Sequence, residues 1–232
     1  MSTEIESLYE FIEENLINGE LPRDFTLPLE VTKHSIPFVD GAKDGIEIYH
    51  TYSHGMAEGS ISILEEMLHA VSEDDYASGI KKLKEFAEKN LPVAAINDFQ
   101  RYIVKQDWLD NSKFLEFALI CILKPDVEIV KYGLQMTELL KYPSEGLKVV
   151  VRTLGLCNEF TIFAIFNMLR WDNSNDEIFA LAKKVYGWGR IHAVKYLKAE
   201  NDEIKKWLLE EGVNNDIHPD YTEMEGYQKV EL

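Results

Sequence analysis

Cysteine is almost missing from this chain, and the two present, Cys121 and Cys157, sit inside apolar helical runs. With no regular cysteine framework and no CxxC pair, a disulfide scaffold and a zinc ribbon are excluded, and buried free thiols are expected. Basic residues are outnumbered: 24 Lys and Arg stand against 41 Asp and Glu, for a formal charge of −17. Nucleic acid and anionic membranes are gripped through Lys and Arg against phosphate, so neither is an expected partner. Long apolar runs are also lacking, and Phe117 to Leu123 is far too short to cross a bilayer. The opening Met-Ser-Thr-Glu-Ile-Glu lacks the positive region and apolar core of a signal peptide, so a reduced cytoplasmic setting is expected. No Gly-x-Ser-x-Gly elbow, P-loop or dinucleotide glycine fingerprint occurs, and the Gly41–Gly45 segment has the wrong spacing to cradle phosphate.

What the chain does have is apolar residues at 46% over 232 positions, enough to bury one substantial core or two small ones. They also repeat. Leu115, Leu147 and Phe179 follow one another at steps of 32 residues, as do Ala118, Val150 and Ala182, and Ile122, Leu154 and Tyr186. A second series behaves alike: Val130, Ile162, Val194; Tyr132, Ala164, Tyr196; Gly133, Ile165, Leu197. Within each series the apolar positions recur at three and four residues, the period of a helix face. One repeat is therefore two amphipathic helices joined by a short turn, and neighbouring repeats must stack to keep their apolar faces dry.

Around the Asn111–Lys198 repeats the periodicity predicts further helices over Glu4–Asn18, Asp40–His54, Gly59–Val71 (capped by Ser60), Asp74–Asn90, Pro92–Lys105 and Asn201–Gly212. In the Asp40–His54 segment, Ala42, Gly45, Ile46, Tyr49 and Tyr52 form one stripe, and Asp40, Lys43, Asp44, Glu47, His50 and His54 form the opposite one. A strand would alternate instead. Gly41 and Gly45 would let a neighbouring helix come close. Leu21–Phe38, with three prolines, reads as a linker or an extended arm. The expected organisation is N-terminal helices and arm over 1–72, repeats with a terminal cap helix over 73–212, and a loosely packed polar tail over 213–232.

These tandem helix pairs resemble the HEAT and armadillo class of α-solenoids over roughly Asp74 to Gly212. The tetratricopeptide Trp, Leu-Gly and Tyr positions and the ankyrin Thr-Pro-Leu-His motif are missing. The resemblance implies an all-α fold: a right-handed α-α superhelix of stacked antiparallel helix pairs with a repeat of about 32 residues, shorter than the usual HEAT step of about 40. It brings no catalytic residue. It implies a curved surface used for binding, so a non-enzymatic interaction module with a protein or peptide partner, possibly basic, is the leading expectation. Some HEAT-like proteins are DNA glycosylases that grip phosphate on a basic concave face, which this acidic chain argues against.

Two segments carry candidate chemistry. Glu47, His50 and His54 share a helix face with Asp40 and Asp44, and an imidazole pair four residues apart with a carboxylate nearby can hold a transition metal if further ligands come from elsewhere. No HExxH occurs, a solvated face explains the pattern equally, and no cofactor is expected. The second is Tyr186-Gly187-Trp188-Gly189-Arg190-Ile191-His192, where two glycines flank Trp188 at a helix start and Arg190 adds donors to an anion-friendly end. A carboxylate or phosphate site with Trp188 stacking competes there with a tight turn around a packed Trp. His192 aligns in the repeat with Glu128 and Phe160, a position that varies and so is expected to face outward. The alternative function, a small-molecule or metal-dependent enzyme, requires these two segments to meet in one pocket. Oligomeric state stays open.

Overall fold

The computed structural model describes residues 5–28, 38–51, 55–215, 217, 226 and 228–230. Among them the structure is all-helical, with no strand and an isolated bridge between Ile17 and Glu20. The helices are α1 (Leu8–Glu14), α2 (Ala42–His50), α3 (Ser60–Ser72), α4 (Tyr76–Lys89), α5 (Pro92–Val104) and α6 (Asn111–Ile122). They continue with α7 (Val127–Thr137), α8 (Glu145–Gly155), α9 (Thr161–Met168), α10 (Ser174–Ala182), α11 (Gly187–Tyr196) and α12 (Asp202–Trp207), which runs into a π-helical turn, Leu208–Gly212. No described helix is long and apolar enough to cross a membrane.

The chain divides into two compact units, one of residues 1–11 with 46–144 and one of 12–45 with 145–232. The break at 144/145 follows Lys141-Tyr142-Pro143-Ser144 ahead of α8, where Tyr142 is 83% exposed.

In the first unit α3 packs on α4 and α6, and α4, α5 and α6 pack on α7. Phe86, Phe99 and Tyr132 meet with ring centroids 5.0 to 5.6 Å apart at the centre, each pair adding about 0.5–1.5 kcal/mol beyond its area. Buried Asn90 ties helix ends together: its Nδ2 donates to Ser60 Oγ at 2.9 Å and Phe86 O at 2.8 Å, while its Oδ1 accepts from Ala57 N at 2.7 Å. Tyr132 Oη donates to Asn90 O at 2.9 Å, so the core's one phenol is satisfied inside it. Asp75, Asp110 and Asp126 accept from the first turns of α4, α6 and α7. Pro92 opens α5 as the sequence predicts. Ser60, however, is the first buried residue of α3 and not its cap; Gly59 takes the cap position at φ 77°.

In the second unit α8 packs on α9, and α9 and α10 pack on α11. Helix α9 is buried on nearly every side, as its apolar sequence requires. Of the second-helix positions, Val130, Ile162 and Val194 are all at most 1% exposed, while Tyr196 is half-buried. In α8 the first-series positions Leu147 and Leu154 are buried as expected, and Val150 alone departs. Ala118 and Ala182 are buried but Val150 is half-exposed, and Val151 is buried in its place. The buried face of α8 is Leu147, Val151 and Leu154, and that of α6 includes Phe114, Ala118 and Cys121 while Leu115 is half-exposed.

The N-terminal helix differs from expectation, and most of the 213–232 tail lies outside the described residues. Helix α1 is shorter than Glu4–Asn18, and the chain turns at Asn18 and Gly19, both at positive φ. In the tail, Lys229 Nζ donates to Val194 O at 2.7 Å, Leu197 O at 2.9 Å and Lys195 O, closing the last turn of α11 with a cation where the helix dipole favours one.

Candidate functional site

The sequence singles out the start of α2 and the start of α11, and in the second unit these meet. They meet by packing. A Cβ on Gly41 would lie 2.5 Å from Asn158 O and 3.1 Å from Trp188 Cβ, and one on Gly45 would overlap the Trp188 ring. Trp188 is accordingly 6% exposed. Gly41 also stands at φ 79° and Gly187 at φ 56°, so both need glycine for their backbone as well.

The α8–α9 turn locks this seat. Glu159, itself buried, accepts Gly41 N–H at 2.5 Å, placing a carboxylate at the N-terminus of α2. Asn158 Oδ1 accepts Gly189 N–H at 3.2 Å, and Asn215 Nδ2 donates to Gly187 O at 3.1 Å. Sequence reasoning missed Asn158 and Glu159, for polar residues in an inter-helix turn carry no periodic signal. The glycines they hold were the readable trace.

Arg190 points inward. Its Nε donates to Val185 O at 2.8 Å, and one terminal nitrogen donates to Glu211 O and Asn214 O at 3.2 Å each. The donors that an anion would use are taken by the chain's own carbonyls, and Tyr186 and Trp207 cover the guanidinium at 4.7 and 5.6 Å. His192 is fully buried, one turn beyond Trp188 with ring centroids 6.2 Å apart. Its expected outward orientation is corrected: His192 and the aligned Phe160 are both buried, while the aligned Glu128 is half-buried. Burial lowers the His192 pKa to about 3, with the charge of Lys195 a smaller cause, so the imidazole is neutral at pH 7.

Asp44 is also fully buried, on α2. Asp40 is half-buried, and its Oδ2 accepts Leu27 N–H at 3.2 Å and lies 4.0 Å from Cys157 Sγ. Glu47 is half-buried and His50 exposed, both in the stretch of α2 that belongs to the other unit. His54 lies outside the described residues. Among the described residues no group of three His, Cys, Asp or Glu is placed to hold a metal ion. The cluster is thus a joint between helix ends, built from groups that face one another.

A cavity of about 30 Å³ beside Asp40, Cys157 and Asn158 adjoins this joint, and a larger space lies elsewhere in the same unit. A groove of about 280 Å³ runs between α8 and α10, bedded by Leu16, Val149, Leu156, Met168 and Leu181. On one wall Arg152 and Glu177 form a two-pronged ion pair at 2.8 and 2.7 Å, which lowers the Glu177 pKa. Lys184 stands on the rim, its Nζ 3.4 Å from Gly19 O.

The first unit exposes a different feature. On α3, Ile61, Glu65 and His69 follow at four-residue steps, and the His69 ring stacks on Trp108 with centroids 4.5 Å apart and planes 10° from parallel. Ile61 is 53% and Trp108 42% exposed. His69 is a surface residue with Glu65 at 4.0 Å. Compared with known protein families, curated proteins and solved structures, the chain matches none.

Proposed function

We propose that the chain is a non-enzymatic interaction module, a right-handed α-α superhelix of stacked antiparallel helix pairs akin to HEAT and armadillo proteins, which binds a basic protein or peptide partner in the cytoplasm. The observation that carries this reading is the exposed Trp108–His69 stack, with exposed Ile61 two turns earlier along α3. Tryptophan is expensive to leave in water, and it dominates the energetics of protein interfaces where it occurs. Glu65 beside the stack and the net charge of −17 favour cationic segments and speed their arrival. The enzyme alternative has less support, because Asp44, Trp188, Arg190 and His192 are all buried in the joint between α2 and α11.

The test is a panel of Lys/Arg-rich peptides, each with one aromatic or aliphatic residue, titrated against the full chain by fluorescence. A member of the panel binds, its association slows as salt rises, and Trp108→Ala weakens it at least tenfold. Binding indifferent to both salt and Trp108, or no binding across the panel, rejects the reading.

A further inference from the structure

The groove between α8 and α10 differs from the rest of this acidic molecule. Its bed is aliphatic, contributed by Leu16, Val149, Leu156, Met168 and Leu181. Its volume of about 280 Å³ suits a small organic molecule. An apolar cavity of about 150 Å³ takes one benzene ring, so this one takes roughly ten to twelve heavy atoms.

The charges at its edge are not equivalent. Arg152 is already neutralised, by both oxygens of Glu177 and by Glu145 at 3.8 Å. Glu177 is likewise engaged, with Asn173 Nδ2 adding a donor at 3.0 Å. Lys148, one turn before Arg152, pairs with Glu145 at 2.8 Å. Lys184 has no carboxylate partner among the described residues; its contact is the Gly19 carbonyl at 3.4 Å. What sets Lys184 apart is its place, on the rim of an apolar bed. The groove offers a single positive charge and a dry trough, which is the complement of an amphipathic monocarboxylate.

We infer that this groove binds a free medium-chain carboxylate, with the tail along Leu156, Met168 and Leu181 and the carboxylate on Lys184 Nζ. The site is independent of the Trp108 ridge, and neither proposal needs the other.

Decanoate and 1-decanol, titrated against the full chain by calorimetry or by two-dimensional amide NMR, test it directly. Decanoate saturates one site, shifts amides of α8 and α10, and binds at least fivefold tighter than the alcohol. Lys184→Met keeps the stem and removes the charge, so it abolishes that preference while the alcohol binds as before. Ala180→Trp, at an exposed position on the groove's edge, fills the trough and removes both. Equal affinity for acid and alcohol, decanoate binding unchanged by either substitution, or no saturable binding overturns the proposal. So does tighter occupancy of the same groove by an end-blocked aliphatic peptide, which would make it a docking site for chain segments. Far-UV circular dichroism of both variants checks that they fold, since each altered side chain reaches solvent.

Discussion

Gly45 lies directly beneath the ring of Trp188, with no room between them for a methyl group. Gly45→Ala therefore sets two effects against each other. Alanine in a helix gains about 1 kcal/mol over glycine. The added carbon, however, meets a rigid, buried ring that cannot rotate away, and overpacking of that kind costs about 1–3 kcal/mol. The clash wins, and urea denaturation of G45A shows a lower midpoint than the parent chain. A midpoint at or above the parent's means that the seat is looser than described.

The acid limb of stability carries the mark of His192. Its folded pKa, about 3, lies below the ordinary value of 6.5, so the unfolded chain takes up the proton first as pH falls. The stability it lends is fully present above pH 6.5 and drains away as pH drops toward 3. Between pH 7 and pH 5 the loss is about 2 kcal/mol for this one group. His192→Leu removes that part of the slope, measured as the difference between the two proteins' denaturation free energies at each pH. Parallel slopes would mean that the imidazole is reached by solvent.

How far these features were legible depends on what kind of order they express. Helices show in sequence because burial recurs every three to four residues, and the Val130, Ile162 and Val194 positions are buried as that periodicity predicts. Gly41 and Gly45 were legible as a place of close approach, since little else explains two glycines in one helical turn. Arg190 and His192 misled because local sequence shows that a helix begins there, not which way its first turn faces. The Lys184 rim and the His69–Trp108 stack join residues far apart along the chain, and periodicity says nothing of such pairings. The departure at Val150 is as hard to read: with valine at three consecutive positions, 149 to 151, sequence does not show which one faces the core.

Glu177→Gln tests the pair on the groove wall. The charge-assisted bonds from Arg152 are short, but Arg152 is 37% exposed against 11% for Glu177, so water screens part of the attraction. The expected loss is about 1 kcal/mol, shrinking as salt is raised. A loss that does not change with salt would assign the effect to packing.

The thiols offer a chemical check on burial. Cys121 is wholly enclosed, and burial drives its pKa upward, so almost no thiolate exists at pH 8. Cys157 is 1% exposed. Neither reacts with a thiol reagent such as DTNB in the native protein over minutes, and both react at once in guanidinium. Prompt native reaction of either would expose an opening in its unit.

The second unit is discontinuous, with residues 12–45 at one end and 145–232 at the other. During synthesis its first piece emerges about a hundred residues before the rest, an interval of roughly 5 to 20 s at usual elongation rates. Gly41 and Gly45 wait through that time for a tryptophan not yet made. The stretch between carries α3 to α7 and leaves the ribosome before α8 to α12 are made, so the first unit has its whole chain while the second still lacks its larger part.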